Sequence, residues 1–163
     1  MSTVIDTLIY DRTQADVDRV FTLKTKILTE GLSSLTAEEL AEYLAGMKGA
    51  YNYTDLNRIG EAIAYLVERM EELAIYDDTI VPKTDWVMGD VPTQSQISAL
   101  LTNLTKLRAK LSLPDDAPAV PISLDSMTYE TANDIEELLA VIDDRISRAT
   151  VTFAYAGMYY CGE

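Results

Sequence analysis

An all-α fold, a helical bundle of about five helices, is what this sequence predicts, and three observations predict it. Apolar residues recur at helical spacing in four long stretches. Threonines followed three positions later by an acidic or amide residue mark helix starts, and proline is confined to the segments between the stretches.

Thr13 with Asp16 forms a capping box, and Val17, Val20, Phe21, Leu23, Ile27 and Leu28 follow at helical spacing until Gly31 supplies a stop. Thr36 with Glu39 opens a second, shorter helix carrying Leu40, Tyr43 and Leu44, which ends between Gly46 and Gly49, with Lys48-Gly49 read as its C-cap. Thr54 opens the third helix, whose stripe is Leu56, Ile59, Ile63, Leu66, Met70 and Leu73. Residues 76–92 hold Pro82, Gly89, Pro92 and the single tryptophan, Trp86, and read as a long connection that packs back onto the helices.

Thr93 with Gln96 opens the fourth helix, bearing Ile97, Leu100, Leu101, Leu104, Leu107 and Leu111. Pro114, Pro118 and Pro121 make residues 113–127 a second connection, and Thr128 caps the fifth helix, with Ile135, Leu138, Leu139, Ile142 and Ile146. Helices at 13–30, 54–74, 93–111 and 129–148 are expected to form the main bundle. Its expected core is Val17, Val20, Phe21, Leu56, Ile59, Ile63, Leu66, Leu100, Leu104, Ile135, Leu138, Leu139 and Ile142. From Thr150 the pattern changes: Val151, Phe153 and Tyr155 alternate, and Tyr159 and Tyr160 follow. The expected organisation is a bundle domain over 1–149 and a short extended C-terminal segment over 150–163.

An internal repeat runs through the chain. Tyr53, Asn57, Ile59, Glu61 and Ala64 reappear as Tyr129, Asn133, Ile135, Glu137 and Ala140, a constant separation of 76 residues. Thr13, Gln14 and Val17 correspond to Thr93, Gln94 and Ile97 at a separation of 80. Two tandem helix-pair units account for both, with the short second helix inserted in the first unit. Asn57 and Asn133 are the informative positions, because asparagine within an apolar helix face must satisfy its amide and its carbonyl. Two roles are open to them: bonding loop backbone near Asp11–Thr13 and Val91–Thr93, or contacting a ligand.

Composition narrows the function. The 163 residues carry 13 Lys and Arg against 27 Asp and Glu, a net charge of −14, with 48% hydrophobic and 25% charged residues. Such a chain repels phosphate backbones and anionic lipid, so neither nucleic acid nor a membrane is an expected partner. Met1 to Tyr10 lacks the basic region and apolar run of a secretory signal. There is no histidine, which removes the commonest general base and the commonest metal ligand, and the single cysteine, Cys161, has no intramolecular partner.

Acidic runs such as Glu38-Glu39, Glu68-Glu71-Glu72, Asp115-Asp116, Glu136-Glu137 and Asp143-Asp144 read as solvated helix faces, and none has calcium-loop spacing. No nucleophile elbow, phosphate loop or dinucleotide turn occurs. The expectation is a chain with no catalytic residues, no metal and no cofactor. Ten tyrosines against two phenylalanines suit half-wet protein contacts. Phe153, Tyr155, Tyr159 and Tyr160 mark the expected assembly contact, to be made with Val4–Tyr10 of the same chain, with another copy, or with a partner by strand addition.

Five blocks carry a resemblance. They are Asp11-Arg12-Thr13-Gln14-Ala15-Asp16-Val17-Asp18-Arg19; Met47-Lys48-Gly49-Ala50-Tyr51-Asn52-Tyr53-Thr54-Asp55-Leu56-Asn57-Arg58-Ile59; Pro82-Lys83-Thr84-Asp85-Trp86 with Pro92-Thr93 and Gln96; Met127-Thr128-Tyr129-Glu130 with Ala132-Asn133-Asp134-Ile135-Glu136; and Phe153-Ala154-Tyr155-Ala156-Gly157 with Cys161-Gly162-Glu163. This set resembles small proteins encoded in prophage tail-gene clusters of Gram-positive gut bacteria, beside tail-fibre and baseplate genes. Ala154 departs from that family, which carries Arg there. The resemblance implies a virion structural protein located in the tail, with other phage tail proteins as partners and homo-oligomers within reach. It implies no catalytic residues. The alternative expectation is a cytoplasmic adaptor or regulatory protein that binds a protein partner through its acidic surface.

Overall fold

A computed structural model describes the backbone of residues 3–160 and side chains as far as Thr152. The described chain is all-helical and contains no strand. Five α-helices follow in order: α1 (Gln14–Glu30), α2 (Ala37–Ala45), α3 (Tyr53–Glu72), α4 (Gln94–Lys110) and α5 (Tyr129–Tyr160). Short 3-10 turns cover Val4–Thr7 and Leu32–Ser34.

The capping chemistry places the helix starts. Thr13, Thr36 and Thr93 each accept a hydrogen bond from the backbone three residues on, and Asp16, Glu39 and Gln96 reach back to the cap amide. α3 begins earlier than Thr54 suggests, because Asn52 is the cap and Asp55 its reciprocal partner. Thr128 caps α5 by accepting from the Thr131 amide at 3.2 Å. α2 ends at Gly46, whose φ of +87° is a left-handed conformation that suits glycine. Gly49 serves close approach instead. A Cβ there would lie 2.2 Å from the Asp16 carbonyl oxygen, so the absent side chain lets residues 47–51 press against the first turn of α1.

The core is built by α3, α4 and α5. Ile59, Ile63, Leu66 and Met70 of α3 meet Leu104 and Leu107 of α4 and Ile135, Leu138, Leu139, Ile142 and Ile146 of α5. Val4, Ile5 and Leu8 of the N-terminal segment pack against this cluster, as do Val120, Leu124 and Met127 of the second connection.

Two expectations are corrected here. Among the described residues no α1 side chain belongs to the core cluster, and Phe21, expected inside, is 71% exposed. α1 instead pairs with α2, held by Arg19 to Glu42 at 2.8 Å and Lys26 to Glu39 at 2.7 Å, with Leu23 buried. The pair forms a helical hairpin joined through the 3-10 turn Leu32–Ser34.

The second correction concerns residues 150–160, expected to be extended but helical as the last turns of α5. Adding residues to an existing helix costs no new nucleation, and Ala149, Ala154 and Ala156 favour it. The N-terminal stretch expected as a strand partner is itself a 3-10 turn at Val4–Thr7. The side chains of Phe153, Tyr155, Tyr159 and Tyr160, and Cys161 altogether, lie outside the described residues.

Candidate functional site

The repeat is real at the level of burial. Leu56, Ile59, Gly60, Ala62, Ile63, Leu66 and Met70 are the buried residues of α3 after Asp55. Each has a buried counterpart 76 positions on: Ala132, Ile135, Glu136, Leu138, Leu139, Ile142 and Ile146. The equivalence does not extend to α1 and α4. At a separation of 80, Phe21 corresponds to Leu101, yet Phe21 is solvent-facing and Leu101 is buried.

On each central helix the asparagine grips one residue of an incoming strap by its backbone. Asn133 Oδ1 accepts from the Arg12 amide at 3.0 Å, and its Nδ2 donates to the Arg12 carbonyl at 2.9 Å. Asn57 does the same to Trp86, accepting from its amide at 2.8 Å and donating to its carbonyl at 2.9 Å. The expectation of bonds within each helix-pair unit, Asn57 to 11–13 and Asn133 to 91–93, is corrected: the partners are exchanged between the units, and Asn133 holds Arg12. Asn57 holds Trp86, upstream of 91–93, with the turn Val87–Asp90 lying between Trp86 and α4. Asn103, which the sequence pattern does not single out, adds a bond to the same strap, from Nδ2 to the Val81 carbonyl at 3.0 Å.

The clamps match and the side chains around them do not. In the Trp86 half, the position three residues beyond the asparagine is Gly60, where a Cβ would lie 2.1 Å from the Lys83 carbonyl oxygen. That strap therefore lies directly on the helix. In the Arg12 half the same position is Glu136, fully buried. Its Oε2 accepts from the Ile9 amide at 2.6 Å, Ile9 standing three residues before Arg12 as Lys83 stands before Trp86.

Around Glu136 a closed ionic cluster forms. Arg12 Nη2 contacts Asp55 Oδ1 at 2.9 Å and Glu136 Oε1 at 2.7 Å. Arg58 meets Glu136 through Nε at 2.8 Å and Nη2 at 2.9 Å, and also pairs with Asp55. The remaining donors of Arg12 reach the Lys48 carbonyl through Nε at 3.1 Å and the Ile9 carbonyl through Nη1. Asp55 Oδ2 accepts the Asn52 amide at 2.9 Å. Two guanidiniums face two carboxylates, so the cluster is neutral as a unit, and its hydrogen bonds offset the cost of leaving water. Burial opposes the Arg58 charge, but Glu136 and Asp55 outweigh it and raise its pKa.

Glu136 was expected on a solvated face. The signal against that was available: it sits in the buried register of Ala132, Ile135 and Leu139, at the repeat position of a glycine. Arg12 and Asp55 carried no comparable signal, since only the tertiary fold brings 12, 55, 58 and 136 together.

The Arg12 guanidinium lies over the Tyr51 ring, 5.7 Å from its centroid. The Tyr51 hydroxyl is enclosed and has no hydrogen-bond partner among the described residues. Burial, then the Glu136 and Asp55 charges, push its phenol pKa above the ordinary value. Beside Tyr51 a cleft of about 650 Å³ opens between the first turns of α1 and α5, with Gln14, Val17, Met127, Tyr129 and Ala132 on its walls. A separate, smaller space of about 70 Å³ lies beside Leu56, Trp86 and Leu100.

Among the described residues no cluster of three or more carboxylate or cysteine side chains has the arrangement to hold a metal ion. No described helix is long and apolar enough to cross a membrane. Comparison with protein-family models, with curated proteins and with solved structures gives no match.

Proposed function

We propose that this chain is a structural protein of a phage or prophage tail and acts through protein–protein contacts. The observation that carries the reading is the α1–α2 hairpin. It leaves the core, keeps its own ion pairs, and turns Phe21, Leu28, Leu32 and Leu44 to solvent. Phe21, Leu28, Leu32 and Leu44 are each at least half exposed, and large apolar side chains left in water suit a contact surface. The charged groups in the interior are paired with one another, which suits a scaffold better than a reaction centre. The tail assignment comes from the five-block sequence resemblance, and the hairpin supports the contact role that the assignment requires.

Mass spectrometry of particles purified from a host carrying the gene tests this reading. The chain should co-purify with tail components at a stoichiometry set by tail symmetry. Recovery only from the particle-free cell fraction, bound to a protein there, would favour the adaptor reading and reject the tail assignment.

A further inference from the structure

We infer that two copies of this chain exchange halves when concentrated, the second unit of each copy closing on the first unit of the other. The partner is a second copy of the chain, and the inference does not rest on the tail assignment. Residues 3–72 and 77–152 form two units whose contacts are reciprocal. Asn133 of the second unit holds the Arg12 strap of the first, and Asn57 of the first holds the Trp86 strap of the second. Glu136 of the second unit accepts from the Ile9 amide and pairs with Arg12 and Arg58 of the first. Arg69 of the first unit reaches Asp143 and Ser147 of the second. The core is the same interface, since Ile59, Ile63 and Leu66 of α3 meet α4 and α5 in it. Each unit completes the other, and a second copy offers the same completing surface.

Only residues 73–76 join the units, and backbone strain falls there. Among the described residues Ala74 is the one non-glycine residue at positive φ, +60°. It ends α3 in a turn where the Ala74 and Ile75 amides donate to the Glu71 and Met70 carbonyls at 2.9 Å each. Glycine is the usual residue at that left-handed place, because a Cβ is crowded there. Alanine is the best helix former, so its relaxed state prolongs α3 and carries the second unit away from its own first unit. The chain beyond the hinge travels with the second unit. Asp77 pairs with Lys110 at 2.9 Å, and the Thr79 and Val81 carbonyls accept from Lys106 and Asn103 at 3.0 Å each. A strained hinge between reciprocal units turns closure into exchange once copies are concentrated.

The test is refolding of the full-length chain at about 10 µM and about 1 mM, below and near the effective concentration that a short tether sets, followed by sedimentation. Monomer is expected from the dilute sample and dimer from the concentrated one. In a dimer refolded from mixed ¹³C-labelled and unlabelled chains, isotope-filtered NOEs should link α3 methyl groups such as Ile63 of one copy to α5 methyl groups such as Leu139 and Ile142 of the other. Ala74→Gly relieves the hinge. In mild denaturant, where the two forms interconvert, it should raise the dimer dissociation constant by about tenfold, equal to 1.4 kcal/mol. A chain that stays monomeric after the concentrated refolding, a dimer without core NOEs between copies, or a dissociation constant not raised by Ala74→Gly would each overturn the inference. None of these results bears on whether the chain is found in tail particles, so failure of the exchange and failure of the tail assignment are told apart.

Discussion

Arg12 and Trp86 are held by the same device, an asparagine that bonds both the amide and the carbonyl of one strap residue. Their surroundings differ in kind. Trp86 lies in an apolar contact between its strap, α3 and α4, and Gly60 removes the side chain that would hold the strap away. Arg12 lies in an ionic one, where Glu136 fills the equivalent position and converts steric contact into hydrogen bonding. The comparison teaches that one backbone geometry can be secured by packing or by charge. A helix position without a side chain serves the first, and a fully buried carboxylate serves the second.

The largest expected effect comes from removing the pivot of the ionic half. Glu136→Ala leaves two guanidiniums facing the single carboxylate of Asp55, and should destabilise by about 3–5 kcal/mol in chemical denaturation. A loss under about 1 kcal/mol, the level of an exposed pair, would show that the cluster is solvated and the contrast between the halves is false. Next come the clamps. Asn57→Ala and Asn133→Ala should each cost about 1–3 kcal/mol, since each strands a backbone donor and acceptor at a partly buried site. Near-neutral stability of both would reduce the clamps to incidental contacts.

Much of the framework of this comparison could be read in the sequence, and the part that could not is of one physical kind. The threonine caps and the period of the apolar stripes are local, and they placed the helices to within a residue or two at most ends. The repeat was visible because Tyr53, Asn57 and Ile59 return at a constant spacing, and the asparagines were recognisable as polar groups in need of partners. Of the ionic cluster only Glu136 had a signal, its place in the buried register; Arg12, Asp55 and Arg58 were not legible, because a charge in sequence reads as surface until a distant opposite charge is known to meet it. Phe21 misled for the converse reason: an apolar residue on a helix face implies a partner, and nothing local says whether that partner lies in the same chain. Residues 150–160 misled through propensity, with β-branched and aromatic residues outweighed by continuation of a helix already formed.

Smaller effects sharpen the contrast. Tyr51 belongs to the ionic half, and its enclosed phenol is held neutral by burial and by the neighbouring carboxylates. A raised pKa in the folded state gives stability that is full below the unfolded value of about 10 and is lost as pH rises above it. Tyr51→Phe should therefore flatten the fall in stability on the alkaline side. It should also raise stability at neutral pH by about 1 kcal/mol, through removal of an unpaired hydroxyl. An unchanged alkaline profile would mean that the phenol titrates normally. The smallest effect is expected at Phe21. Its replacement by serine should change stability by no more than about 0.5 kcal/mol, because the side chain is already in water. A loss of several kcal/mol would return α1 to the core and dissolve the distinction between the halves.

The central claim is that the two straps are secured independently, one by charge and one by packing, and amide hydrogen exchange at two positions tests it most directly. The Arg12 and Trp86 amides donate to Asn133 and Asn57 at 3.0 Å and 2.8 Å, so they report on equivalent bonds. In Glu136→Gln, which keeps the shape of the side chain and removes its charge, the Arg12 amide should lose protection while the Trp86 amide keeps it. Equal loss at both amides, or no change at Arg12, would contradict the account.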